Sequence, residues 1–212
     1  MAVAERHYIF LSVAWITFCL LHSLFATLSV KKIIAAFSGK YFAYYRLLYS
    51  ICSLIFLIFL LQYQFGMKEN ILFFVTPLIK IASIILILGG LMVMIMSAKR
   101  YFIRVTGLAI FTNQQASDGL LISGIHGVIR HPLYAGTLLL ISGLFLFFPF
   151  ASNLIAFTVI TTYTFIGIKL EEKKLLLQFG EAYNVYRNSV PMMIPKLHLR
   201  IFKWQINADK IS

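Results

Sequence analysis

The chain has 212 residues, of which 60% are hydrophobic and only 12% charged, and its mean hydropathy is +0.87. A water-soluble domain carries roughly a quarter charged residues, so this composition excludes a cytosolic enzyme, a disordered tail and a secreted disulfide scaffold. The formal charge of +12 accompanies no nucleic-acid recognition motif; it fits basic loops of an integral membrane protein facing anionic lipid headgroups.

Apolar runs of about 20 residues cross the roughly 30 Å hydrocarbon layer as helices. Such runs occupy residues 8–28, 47–65 and 78–97. A fourth apolar region, residues 132–168, would be about 55 Å long as one helix. It contains the breaker Phe148-Pro149-Phe150-Ala151-Ser152-Asn153, so it reads as two short helices in a tight hairpin. The expected fold is therefore all-α and polytopic, with about five transmembrane helices. Residues 1–97 supply three N-terminal spans, 98–195 a core containing the hairpin, and 196–212 a basic tail. The first run is too long for a signal-peptide core and no A-x-A-like site follows it, so it stays a span.

Five spans distribute the charge on one side. Sixteen of the nineteen basic residues fall on the side of the loop 98–131 and the tail, and only Arg6, Lys68 and Lys80 on the other. By the positive-inside rule the N-terminus is outside and the C-terminus cytoplasmic. Cys19 and Cys52 sit in apolar runs and read as packing residues, and no Cys/His spacing suggests a metal. His22 lies inside the first span. An ionisable group there either faces a substrate path or, neutral, hydrogen-bonds between helices.

Two segments carry chemistry. In the first, Gly119 to Gly136, Pro132 fits the first position of the fourth helix, which then starts at His131-Pro132 on the cytoplasmic face. A helix N-terminus offers free N–H groups and partial positive charge to a carboxylate or phosphate, and Arg130 and His131 add donors. A capped helix with a snorkelling arginine is the competing reading. In the second, Lys169 to Arg187, Glu171 and Glu172 lie toward the end of the fifth helix or on its continuation, where carboxylates ask for a compensating cation. Lys169, Lys173 and Lys174 are local candidates. Phe179, Tyr183 and Tyr186 recur at i, i+4 and i+7, giving one aromatic packing face on a helix. The hairpin brings the cationic helix start near the carboxylate pair, an arrangement suited to a zwitterionic amino-acid-like ligand.

Taken together, Arg130-His131-Pro132-x-Tyr134-x-Gly136, Leu170-Glu171-Glu172, Phe179-Gly180-Glu181-x-Tyr183-x-x-Tyr186 and Val190-Pro191-x-x-x-Pro195 resemble the integral-membrane methyltransferases. That superfamily includes isoprenylcysteine carboxyl, phospholipid N- and methanethiol S-methyltransferases. The match runs over residues 118–195; His22-Ser23 and residues 45–49 resemble bacterial members more weakly. The resemblance implies S-adenosylmethionine bound in a cytoplasmic pocket and a location in the bacterial plasma membrane. His131, Pro132 and Tyr134 would contact the cofactor, Glu171 would pair its ammonium, and Asp118, Gly119, Leu120 and Leu121 would line the adenosine. His126 stands where relatives carry tyrosine, a second flat polar ring.

Prenylcysteine-type relatives carry an arginine four residues before the first glutamate. Here that position is Gly167, and Lys169 projects about 200° around the helix from it. The expected acceptor is therefore a small or hydrophobic thiol, reached from the lipid bilayer past His22, with Arg130 as the catalytic cation that would favour its thiolate. A prenylcysteine carboxylate, a lipid amine and a non-enzymatic scaffold or transporter subunit are the alternatives.

Overall fold

Inside a bilayer each backbone N–H and C=O must find its partner within its own segment, which helices achieve. A computed structural model of the chain describes residues 2–67, 69–99 and 119–195, and among these all regular structure is helical. The helices are α1 (Ala2–Ala26), α2 (Leu28–Ser38), α3 (Tyr45–Phe65), α4 (Pro77–Ala98), α5 (Pro132–Phe147), α6 (Ala151–Phe179) and α7 (Glu181–Ser189). Short 3-10 segments, Gly39–Tyr44 and Gly124–Gly127, precede α3 and α5. The chain is an integral, multi-pass membrane protein: four stretches are long and apolar enough to cross a bilayer, Glu5–Ala26, Ser29–Phe65, Pro77–Ala98 and Ala151–Phe179. The apolar α5, with 16 residues, is about 24 Å long, short of the hydrocarbon thickness. Large apolar side chains such as Ile9, Phe59, Ile85, Leu88 and Met92 lie exposed around the bundle, as lipid contact requires.

The expected hairpin is present. α5 ends at Phe147 and α6 begins at Ala151; the Asn153 amide donates to the Phe148 carbonyl at 2.7 Å, tying the turn to the start of α6. Glu69 accepts the Ser152 N–H at 2.9 Å, a carboxylate at the positive end of α6. From there a buried hydrogen-bond line runs inward, Trp15 Nε1 to Gln64 Oε1 (2.8 Å) and Gln64 Nε2 to Asn153 Oδ1 (2.6 Å), locking α1, α3 and α6 around Leu11, Trp15, Leu60 and Ala156. A cavity of about 70 Å³ beside this line is edged by Phe145, Phe157 and Gln64, at the end of the bundle remote from Glu171.

α4 and α5 pack through small residues. Ser83, Gly90 and Ser97 recur every seven residues on α4 and are buried. A Cβ on Gly90 would meet the Gly136 carbonyl at 2.7 Å, and one on Gly143 would meet the Ser83 carbonyl at 2.8 Å. Backbones can approach this closely only where side chains are absent, which is how apolar helices associate without a hydrophobic driving force.

Two elements differ from the sequence expectation. Residues 28–44 form α2 and a 3-10 segment rather than a plain loop, with Thr27 Oγ1 accepting the Val30 N–H. The aromatic face at 179–186 is not on one helix, because Gly180, at φ +53°, ends α6 and starts α7. Tyr183 and Tyr186 pack instead across that break, with Val190, against Leu120, Ile122, Leu175 and Phe179.

Candidate functional site

The apolar part of α6 ends near Ile168, but the helix continues for eleven residues carrying Lys169, Glu171, Glu172, Lys173 and Lys174. This continuation passes the start of α5, so the two motifs meet. Glu172 takes nearly all the cationic contacts. Its Oε1 accepts Arg130 Nε at 2.9 Å and Arg130 Nη2 at 2.7 Å, and lies 3.1 Å from His131 Nε2. The Arg130 guanidinium also donates through Nη1 to the carbonyls of Arg187, at 2.7 Å, and Val190. Four of its five donors are thereby spent on the protein itself. Burial alone would push the Glu172 carboxyl up, but the hydrogen bonds from Arg130 and His131 outweigh it and hold the group below the usual carboxylate range.

The strap after α7 completes the clamp: Arg130 N–H donates to the Pro191 carbonyl at 2.9 Å and His131 N–H to the Met192 carbonyl at 3.0 Å. Pro132 is buried at the first position of α5, and the first-turn N–H groups beyond it have no intrahelical acceptor. His126 lies behind this clamp, its Nδ1 3.4 Å from the Arg130 carbonyl and its own carbonyl accepting the Tyr186 hydroxyl at 2.7 Å. Burial and the neighbouring Glu172 push the Tyr183 hydroxyl up to about 12. Leu120 packs on the Tyr183–Tyr186–Val190 cluster, with Gly119 and Leu121 beside it in the chain; Asp118 lies outside the described residues.

Glu171 is different. Its side chain is 45% exposed, it approaches His131 Nδ1 only at 3.8 Å, and the Tyr134 hydroxyl is its neighbour. The site thus holds one carboxylate committed to Arg130 and one open beside the N-terminus of α5. Along α6 the positions 163, 167 and 171 share a face. A Cβ on Gly167 would lie 3.7 Å from the Tyr134 hydroxyl, and Tyr163 bonds Ser23 of α1 at 2.9 Å. His22 turns to α3: the Tyr49 hydroxyl lies 2.8 Å from its Nδ1 and 2.7 Å from its carbonyl. Glu172's role as the clamp's anchor and Tyr163's place facing α1 escaped the sequence reading. An acidic pair one helix away from an Arg-His pair was the available signal for the first.

Residues 78–182, about half the chain, match the family model described as phospholipid methyltransferase. A methanethiol S-methyltransferase of Crocosphaera subtropica is 42% identical over 69 residues, 32% of this chain and 26% of that protein. Methanethiol S-methyltransferase 2 of Bradyrhizobium diazoefficiens is 35% identical over 78 residues, 36% of this chain and 29% of that protein. A methanethiol S-methyltransferase of Pseudomonas sp. is 38% identical over 74 residues, 34% and 27% respectively. The matched segments span less than a third of the length of each of these relatives. No solved structure matches the chain.

Proposed function

Because the chain belongs to the integral-membrane methyltransferase superfamily, we propose that it moves a methyl group from S-adenosylmethionine to a small or hydrophobic thiol at the cytoplasmic face of a bacterial plasma membrane. The observation that carries the reading is the split between the two glutamates. Glu172 is committed to Arg130 and His131, whereas Glu171 remains open one helix away from the N-terminus of α5. The donor set fits an amino-acid moiety: Glu171 would take the ammonium, and the first-turn N–H groups of α5 beside His131 would take the carboxylate. Leu120, Leu121 and the ring of His126 would border the adenosine, with Asp118 and Gly119 at its edge. Tyr134 closes the site on the side of Gly167.

The cofactor supplies an activated methyl on a sulfonium. The protein's work is then positioning and exclusion of water, since a methyl held about 3–3.5 Å from the nucleophile needs little further help. Arg130 acts as the clamp that fixes His131 and the strap 190–192. Among the described residues of α6, Gly167 puts no cation on the face beside Tyr134, and an unpaired carboxylate buried there would be strongly disfavoured. A thiol on a small apolar body needs no such partner, and the relatives in the comparison are named for methanethiol. The orientation, N-terminus outside and C-terminus cytoplasmic, rests on the sixteen-to-three charge split.

The phospholipid methyltransferase description of the family model favours a second reading, methylation of a lipid amine. One experiment separates these and tests the whole: purified protein in detergent with tritiated-methyl S-adenosylmethionine, offered a thiol panel and membrane lipids. Label in volatile or organic thioethers supports the thiol reading, label in phospholipid the second. A protein that does not bind S-adenosylhomocysteine at all is a scaffold rather than an enzyme.

A further inference from the structure

The short helix α2 turns one of its lysines the wrong way for a solvated charge. Lys31, Ile34, Ala35 and Ser38 recur at i, i+3, i+4 and i+7 and are half-buried, so they form the side turned to the bundle. Ile33 and Phe37 lie on another side and are exposed, Phe37 at 88%. Lys32, the next residue, is exposed as a surface lysine normally is.

A lysine that faces inward ordinarily meets a carboxylate. Among the described residues the ion pairs are those of Arg130 and His131 with Glu171 and Glu172, and Lys31 is in none of them. Two charged side chains come close enough to act on it, and both are cations: Arg46 and Lys174. Arg46 lies in the first turn of α3 and Lys174 on the continuation of α6.

The packing explains why these three meet. The Ser23–Tyr163 hydrogen bond of 2.9 Å sets α1 and α6 side by side, and both then run toward the end of the bundle that holds Glu171. Lys31 follows Ser23 by eight residues and Lys174 follows Tyr163 by eleven. The Tyr45 hydroxyl donates to the Phe25 carbonyl at 2.7 Å, which ties the start of α3, and Arg46 with it, to the end of α1. Three helices thus gather three positive charges whose mutual repulsion opposes the fold. One anion among them reverses the sign of that interaction.

The surroundings select the anion. Ile33 and Phe37 of α2 and Leu177 of α6, three residues after Lys174, stand exposed beside the cations. An inorganic ion would satisfy the charges and leave these side chains uncovered. An anion that carries acyl chains satisfies both, and basic pockets between helices at a membrane face hold such headgroups.

We propose that Lys31, Arg46 and Lys174 bind the phosphate of an anionic phospholipid whose acyl chains cover Ile33 and Phe37. The bound phosphate bridges α2 and α3 to the part of α6 that carries Glu171, three residues before Lys174. The site is independent of which acceptor the enzyme methylates.

The test uses full-length protein in neutral detergent at physiological salt, which screens loosely held surface charge. Phosphatidylglycerol or phosphatidylcholine is added at equal concentration, and retained lipid is counted by native mass spectrometry beside a thermal melt. The wild type should retain phosphatidylglycerol preferentially and melt higher with it. Lys31→Gln should lower that preference at least about tenfold, the effect of one lost charge-assisted hydrogen bond, and Lys174→Gln should act likewise. Lys32→Gln removes the same charge from the exposed side of the same helix and should change the preference by less than about twofold. Without anionic lipid, Lys31→Gln should melt no lower than the wild type, because it relieves repulsion. A lower midpoint there would show Lys31 paired within the protein and overturn the site. Equal losses in the Lys31 and Lys32 variants, or equal retention of the two lipids, would also overturn it, leaving only the general attraction of a basic surface. Inorganic phosphate that raises the midpoint as much as phosphatidylglycerol would overturn the lipid as its occupant.

Discussion

The sharpest consequence of the two-glutamate geometry is that neighbouring, chemically identical side chains should fail in opposite ways. Glu171→Gln keeps the size of the side chain and removes the charge that would meet the donor's ammonium. A hydrogen bond to a charged partner contributes about 1.5–3 kcal/mol. With its side chain 45% exposed, Glu171 belongs at the lower end, about 1.5 kcal/mol or a tenfold loss of affinity. Its loss of His131 contact at 3.8 Å should cost the fold little. Glu172→Gln instead removes the counter-charge of Arg130, whose side chain is only 10% exposed; breaking a buried pair in this way costs about 3 kcal/mol, or ~6–12 °C in thermal midpoint for a chain of this size. The assay is calorimetric titration of S-adenosylhomocysteine beside a thermal melt of each variant, with Lys173→Ala as the control expected to change neither. Wild-type affinity in Glu171→Gln would refute the assignment. So would a Glu172→Gln protein of unchanged midpoint that had lost the ligand, since the two roles would then be exchanged.

Other consequences are simpler to check. The Glu172 carboxyl is held low in the fold, so its contribution is present above the ordinary glutamate value of about 4.3 and is lost as pH falls through the depressed one; the wild-type midpoint should drop on acidification below about pH 4.3, and Glu172→Gln should drop less. Gly136→Ala puts a Cβ 2.7 Å from Met94 Cγ and 2.8 Å from the Gly90 carbonyl, so it should destabilise by about 1–3 kcal/mol in a denaturation series, whereas Gly89→Ala, with nothing within 4 Å, should not. A single cysteine at position 115, in a chain with Cys19 and Cys52 replaced, should be shielded from an impermeant thiol reagent in intact cells; ready labelling would reverse the orientation.

The parts of the architecture readable beforehand were those with one strong local cause. Pro132 could only start a helix, and Phe148-Pro149 could only interrupt one, so the hairpin followed from residue types alone. The meeting of Arg130-His131 with the glutamates followed from the hairpin's topology. What the sequence did not disclose was which glutamate each cation would choose, because Glu171 and Glu172 differ only by 100° of helix rotation and the choice belongs to packing. The strap formed by Val190, Pro191 and Met192 was visible as a motif but not as the acceptor of the Arg130 and His131 N–H groups. Two misses had signals. Thr27 ahead of Leu28, with Gly39 after Ser38, is a helix start and stop that marked α2. Gly180 inside an aromatic repeat marked the break between α6 and α7, yet the i, i+4, i+7 spacing of Phe179, Tyr183 and Tyr186 masked it. The line from Trp15 through Gln64 to Asn153 joins residues 49 and 89 apart and has no local signature at all.

The most direct test of the central claim is a competition. Purified protein with S-adenosylmethionine is given equal concentrations of an alkanethiol, farnesylated N-acetylcysteine and phosphatidylethanolamine, and the methylated products are quantified together. With Gly167 in place of a cation on that face of α6, the thioether should predominate. Predominant methyl ester would show that a cation elsewhere reads a carboxylate substrate, and predominant methylated lipid would show that the acceptor is an amine; either result contradicts the thiol assignment.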